Sequence, residues 1–206
     1  MDLVVATRSR DKMVEIRRIL SDVPGLRVRD LDEAGVPYEA IEEELEPFDT
    51  FEDNARSKAE YFHRKTGLPT VADDSGLVVD ALDGAPGVYS KRFAPGEGLE
   101  GLARDRANNA YLLDRLRGRE PGERTARYVC VAVLVGTGDE PLVVRGEAEG
   151  RILEAPRGEG GFGYDPLFFD PELDHSFAEI SRDEKNARSH RGRAFRALAR
   201  RLTSGG

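Results

Sequence analysis

A chain of 206 residues, 39% of them hydrophobic, is long enough to bury roughly 70% of its unfolded surface, so it needs neither disulfides nor a structural metal to fold. Its formal charge of −8 works against a general nucleic-acid binder held by counterion release, and its single cysteine, Cys130, has no partner within the chain. The start of the chain carries no basic leader and no apolar run approaches the ~20 residues of a membrane helix, so the expected setting is the reducing cytoplasm, away from membranes.

In chain order, residues 3–6 read as a short buried strand and residues 7–11 as a polar turn. A helix over 12–20 follows, with Met13, Ile16, Ile19 and Leu20 on one face and Lys12 in its first turn. Residues 27–31 form a second strand, and a polar, acidic loop runs to about Asp49. Thr50 is placed to cap a helix over 51–65, Thr50-x-x-Asp53 resembling a capping box with the shorter acid. Ala55, Ala59 and Phe62 give that helix its apolar stripe and Gly67 ends it. A strand over 68–73 is expected to bend at Ser75-Gly76 into a second short strand, 77–79.

Residues 84–87 read as a tight loop, and 99–116 as mostly helical, with Gly101 near the start and Gly118 beyond the end. Strands over 125–135 and 141–150 have the spacing of an antiparallel hairpin joined at Gly136-Thr137-Gly138-Asp139. Cys130 lies inside the first of these as a small core residue. A glycine-rich loop over 158–166 and a basic helix over 189–202 complete the pattern. Strand–helix alternation with an inserted hairpin predicts one α/β domain, residues 1–206, built on a mixed sheet.

Chemistry concentrates at few places. Asp73 and Asp74 are adjacent carboxylates where a buried strand is expected to enter a turn. Side chains alternate along a strand, so one carboxylate should face a cleft while the other is braced by backbone donors or a metal. An Asp-Ser-Gly surface turn accounts for the same residues when they are taken alone. Thr7 to Lys12 feed a helix N-terminus, where backbone N–H groups favour an anion, and Lys12 there opposes the helix dipole, a conflict that bound phosphate would remove; a solvated surface lysine accounts for the same residue taken alone. Asn54 and Lys58 share a helix face at i, i+4, a pattern that an ordinary polar face also produces.

Residues 158–163 match G-x-G-x-x-G, but Tyr164-Asp165-Pro166 stops any helix there, so the dinucleotide reading fails. A loop that brings backbone close to a ligand, with Phe162 and Tyr164 offered to a flat ring, suits it better. Packing into the core suits one of the two aromatics equally. Lys185, Ser189, His190 and Arg191 form a basic, hydrogen-bonding cluster suited to a purine carbonyl or a phosphate, or simply to solvent. His63 and His175 have no metal-ligand spacing. No P-loop and no G-x-S-x-G elbow is present.

Taken in order, Ala6-Thr7…Lys12-x-x-Glu15, Thr50-Phe51-Glu52-Asp53-Asn54-Ala55-x-x-Lys58-Ala59, Ala72-Asp73-Asp74-Ser75-Gly76-Leu77, Gly84-Ala85-Pro86-Gly87, Gly160-Gly161-Phe162-Gly163-Tyr164-Asp165-Pro166 and Lys185-Asn186…Ser189-His190-Arg191 closely resemble the inosine/xanthosine triphosphate pyrophosphatase family over nearly the whole chain. The resemblance implies a two-lobed α/β fold with the substrate cleft between lobes, and Mg²⁺-assisted hydrolysis of ITP, dITP or XTP to monophosphate and pyrophosphate. It also implies a homodimer. By that resemblance Asp74, Lys58 and Lys12 are catalytic, and Asp74, Glu46 and Asp73 hold the metal. Thr7, Arg8, Ser9, Arg10, Asp11, Lys12 and Lys58 correspond to triphosphate-binding positions, and Asn54, Ser75, Phe162, Gly163, Tyr164, Asp165, Lys185, His190 and Arg191 to substrate- and base-binding ones.

This chain departs from the family pattern twice. Ser9 stands where Asn is usual, and the acidic loop reads Glu42-Glu43-Glu44-Leu45-Glu46 where Glu-Glu-Thr-Gly is common, which leaves Glu43 and Glu44 as alternatives to Glu46.

Overall fold

Leu3, Val4 and Val5 are consecutive apolar residues, the pattern of a strand covered on both faces, and strand β1 (Asp2–Val5) is paired on both sides in parallel. Leu3 stands opposite Val28 of β2 (Arg27–Arg29), and Val4 opposite Thr70 of β3 (Thr70–Val79). The computed structural model describes residues 1–204. Its seven strands form one sheet in the order β2-β1-β3-β4-β5-β6-β7, completed by β4 (Thr125–Val135), β5 (Leu142–Ile152), β6 (Phe168–Asp170) and β7 (His175–Ser176). The β6 strand pairs antiparallel with both β5 and β7, so the sheet is mixed, as expected. β4 and β5 are sheet neighbours joined by a six-residue connection, too short for the crossover that parallel strands need.

Helices α1 (Arg10–Leu20), α2 (Phe51–Thr66), α3 (Gly101–Arg115), α4 (Arg182–Arg188) and α5 (His190–Ser204) flank this frame. In α1, Met13, Ile16 and Leu20 turn inward, and Ser9 caps the helix by accepting from Lys12 N–H. Ser and Asn are comparable N-caps, so the substitution at Ser9 leaves this local role filled. In α2 the capping box differs from the reading above. The Thr50 hydroxyl accepts from Asp53 N–H but donates back to the Asp53 carboxylate, which is one methylene too short to reach the backbone of Thr50. Gly67 closes α2 at φ +66°.

Two compact units share the long strands: residues 1–74, 130–146 and those from 190 onward make the first, and 75–129 with 147–189 the second. The first unit's core joins Leu3, Val5, Ile16, Leu20, Val71, Leu134, Phe195 and Leu198. Cys130 is buried in it, as its apolar context required, and burial pushes its thiol pKa well up. The second unit's core is aromatic: Tyr128, Phe168 and Phe177 stack and tilt against one another beside Leu77, Leu112 and Leu167.

The expected bend at Ser75-Gly76 does not occur. β3 runs unbroken from Thr70 to Val79, and Gly76 is not among the residues with positive φ. A strand flanked by β1 and β4 gains more from ladder hydrogen bonds than a Ser-Gly pair gains from turning. Helix α4 and the short strands β6 and β7 were not legible in the periodicity, being 7, 3 and 2 residues long.

Candidate active site

Because β3 stays extended, Asp73 and Asp74 leave it on opposite faces, and their surroundings differ accordingly. Asp73 is 1% exposed. Its Oδ2 accepts from Lys12 Nζ at 2.9 Å and from Arg191 Nε at 3.4 Å, with the Cys130 thiol at 3.9 Å. Burial alone would raise this carboxyl. The charges of Lys12, Arg191 and Lys58 outweigh it and hold the group well below the usual carboxylate range. The bracing expected from backbone donors or a metal is therefore supplied by cations, and an oxygen already shared by Lys12 and Arg191 is poorly disposed to ligate another. Lys12, whose place in the first turn of α1 opposed the helix dipole, is neutralised by this carboxylate.

Asp74 is 6% exposed. Its Oδ2 accepts from Asn54 Nδ2 at 3.0 Å. Burial first, and then the negative charge of Glu46, raise its pKa above the ordinary value; Lys58, the Asn54 hydrogen bond and Lys12 offset this only in part. Asn54 is itself locked, accepting from Phe48 N–H at 2.8 Å and donating to Phe48 C=O at 3.0 Å. It ties the end of the acidic loop to Asp74, with both amide N–H donors engaged. Lys58, one turn further along α2, forms an ion pair with Glu46 and donates to the Asp73 carbonyl at 2.8 Å. Burial works against its charge, but Glu46 and Asp73 raise its pKa, so it stays protonated.

Of the acidic-loop candidates, Glu46 is the one held beside Asp74. Glu43 accepts instead from the Tyr38 hydroxyl, and Glu44 is exposed. Among the described residues, no group of three or more His, Cys, Asp or Glu side chains is placed to hold a metal ion. The donor set suits a hard divalent cation all the same. Asp74 and Glu46 are repelling carboxylates, and such ions are commonly held by one or two carboxylates and completed by waters and phosphate oxygens.

Thr7 Oγ1 accepts from Ser9 N–H at 3.2 Å, and Arg10 and Asp11 are exposed on the first turn of α1. Arg8 differs from the expectation of a phosphate ligand: its guanidinium is engaged by Glu42, Asp32 and the Val36 carbonyl. Arg191, expected to meet substrate, is 3% exposed and bridges Asp73 to Glu15, whose Oε2 it reaches at 2.9 Å. Glu15 was visible only as part of a motif, and nothing in the sequence marked it as this arginine's partner. His190 is buried at the start of α5, where Gly146 of β5 lets the helix backbone approach. A Cβ at Gly146 would stand 2.2 Å from His190 O and 2.4 Å from Ala194 N.

In the second unit, Ser75 is half-buried on β3, and the glycine-rich loop separates its two aromatics. Phe162 is 49% exposed, whereas Tyr164 is 4% exposed in the aromatic core, its hydroxyl donating to Ser90 C=O at 2.8 Å. Only Phe162 presents a ring to a ligand. Lys185 lies over that ring, 4.4 Å from its centroid, and is ion-paired with Asp165, which also accepts from Phe162 N–H at 2.8 Å. Gly161 is obligatory here: its φ is +72° and a Cβ would fall 2.1 Å from Asp165 Oδ2. Asp105 and Asn109, four residues apart on α3, bracket Gly163 by taking its N–H and donating to its C=O, each at 2.9 Å. Sequence reading passed over both; their i, i+4 spacing was the one available signal.

The model of the Ham1 family matches residues 3–201. The dITP/XTP pyrophosphatase of Geobacter sulfurreducens is 48% identical over 198 residues, covering 95% of this chain and 94% of the relative. The dITP/XTP pyrophosphatase of Thermus thermophilus is 54% identical over 149 residues, covering 72% and 69%. Among solved structures, a HAM1 protein from Coxiella burnetii superposes with a TM-score of 0.86 at 36% identity over 99% of both chains.

Proposed function

Because this chain belongs to the Ham1 family, we propose that it is a nucleoside triphosphate pyrophosphatase that hydrolyses dITP, ITP and XTP to the monophosphate and pyrophosphate. The observation that carries the site assignment is the unequal setting of two neighbouring carboxylates. Asp73 lies between the cations Lys12 and Arg191, while Asp74 is buried beside the negative charge of Glu46 and accepts from the Asn54 amide.

Asp74 and Glu46 are the residues that would hold Mg²⁺, which when bound neutralises phosphate charge and acidifies a coordinated water. Asp74 orients the attacking water and accepts its proton as the new P–O bond forms at the α-phosphorus and the α–β bridging P–O bond breaks. The electron pair of the broken bond leaves on pyrophosphate. Lys12 and Lys58, placed by their carboxylate partners, offset the charge that develops there. Phe162 stacks on the purine, and Lys185, Asp165 and the loop backbone read its polar edge. A site built to pair with a 6-oxo purine rejects adenine because buried groups would be left unpaired.

The proposal includes residence in the cytoplasm, from the single cysteine and the lack of a membrane-length apolar run, and a homodimeric state, from the family resemblance. No helix among the described residues is long and apolar enough to cross a membrane. The test is pyrophosphate release from dITP, XTP, GTP, ATP and dUTP by purified protein with Mg²⁺, alongside Asp74→Asn. Equal rates on GTP and dITP overturn the substrate assignment, and undiminished activity in Asp74→Asn overturns the assigned centre.

A further inference from the structure

Arg8 lies in the turn that precedes α1, where a cation is naturally read as a phosphate ligand. Its contacts point elsewhere. Nε and Nη2 take both oxygens of the Glu42 carboxylate at 2.9 and 2.8 Å, Nη1 donates to Asp32 Oδ1 at 3.1 Å, and Nη2 also reaches the Val36 carbonyl at 3.1 Å. Glu42 is not a loose surface acid: its side chain is 8% exposed. The same carboxylate accepts from Glu39 N–H at 3.1 Å and so closes the 3₁₀ turn Ala40–Glu44. That turn leads through buried Leu45 directly into Glu46, which stands beside Asp74 and Lys58.

We infer that Arg8 is a positioning residue, a forked clamp that binds the acidic segment 32–42 to the turn before α1 and thereby sets Glu46 at the metal-binding centre, rather than a ligand of the triphosphate. The inference rests on the function proposed above. Geometry decides between the two roles. A guanidinium that meets a carboxylate in bidentate fashion, with a further carboxylate and a carbonyl beside it, has four of its five N–H donors engaged where it stands. A phosphate would have to displace partners in a closed turn. A lysine keeps the charge but cannot bridge the same partners, so Arg8→Lys separates clamp from charge.

The experiment compares Arg8→Lys, Arg8→Ala, Glu42→Gln and the Arg8→Ala/Glu42→Gln double variant with the unaltered full-length chain. Two quantities are read: steady-state kinetics on dITP across a Mg²⁺ titration, and amide hydrogen exchange over residues 37–46 without metal or nucleotide. A clamp predicts that every variant raises the half-saturating Mg²⁺ concentration, by about 10-fold, the lower end for residues that orient a metal's ligands. At saturating Mg²⁺ the KM for dITP stays within about twofold, the single effects do not add in the double variant, and exchange over 37–46 accelerates in all of them. A phosphate ligand predicts the reverse. Arg8→Ala then raises KM for dITP at every metal concentration, Arg8→Lys retains most of the affinity, and Glu42→Gln and the exchange rates are unchanged; that pattern overturns the inference. If the unaltered chain released no pyrophosphate from any nucleotide, the proposed function would fall, while the exchange data would still decide whether Arg8 holds the acidic segment.

Discussion

Replacing each of two adjacent aspartates by asparagine should have opposite consequences. Asp73 faces Lys12 at 2.9 Å and Arg191 at 3.4 Å, all three side chains being 12% exposed or less. At an effective dielectric of about 20 these separations correspond to about 6 and 5 kcal/mol of gross attraction. Desolvation of the ions takes back much of that, but in the variant the desolvation remains and the attraction does not. Removing one partner of a buried ion pair costs about 3–5 kcal/mol. Arg191 keeps Glu15, which places Asp73→Asn near the lower end, about 3 kcal/mol, or about 6–12 °C in Tm for a chain of this length. Asp74 is the reverse case. Burial and the neighbouring Glu46 disfavour its charge, and an asparagine carbonyl can still accept from Asn54. Asp74→Asn should therefore lie within about 1 kcal/mol of the parent, or above it, while losing about 10²–10⁴ in kcat.

The assay is urea unfolding with EDTA present, paired with pyrophosphate release. Asp73→Asn that unfolds with the parent, or Asp74→Asn that loses 3 kcal/mol, would refute the opposite charge settings on which the site is built. The pH dependence carries the same signature. Asp73 has a depressed pKa, so its stabilisation is complete above the unfolded value of about 3.9 and fades as pH falls below it. Asp74 has a raised pKa, so its contribution is present at acid pH and is lost as pH climbs from about 3.9 through its folded value. The stability difference between Asp74→Asn and the parent should grow across that interval.

Three further outcomes are expected. The acid limb of kcat/KM should lie above the ordinary carboxylate range, because Asp74 must ionise, and should move to lower pH as Mg²⁺ is raised; a limb that ignores metal concentration would separate Asp74 from the metal. Gly146→Ala should cost about 1–3 kcal/mol in urea unfolding, since its Cβ meets the backbone of α5 and not a movable side chain, and a neutral result would mean α5 is free to shift. Phe162→Ala should raise KM for dITP about 5- to 150-fold, the equivalent of about 1–3 kcal/mol of base stacking, with Tm unchanged because half its surface is exposed; a KM shift below twofold would remove it from the base site.

Much of this molecule was written locally. The alternation of apolar stretches placed β1, α1, α2, β4 and β5 within a few residues, and Thr50, Gly67 and Ser9 mark helix ends because caps satisfy the backbone from nearby side chains. The resemblance, carried by short ordered motifs, offers Asp74, Lys58 and Lys12 as candidates. Local signals misled where pairing across the sheet overrode them: Ser75-Gly76 asks for a turn, yet β3 continues because its neighbours hold it extended.

Charge partnership is the part that no local pattern contains. Sequence alone determined that acids and bases of the right kinds were present: adjacent aspartates, an acidic loop, a turn rich in arginine. Only the tertiary structure decided which of them meet. Asp73 received Lys12 from 61 residues away and Arg191 from 118, and so became a buried counter-ion, while Asp74, one residue on, received an amide and a second acid. The same folding gave Arg8 to Glu42 and the ring of Tyr164 to the core. Electrostatic energy depends on separation in space and on burial, neither of which spacing along the chain encodes, whereas helix and strand periodicity is a property of the backbone itself.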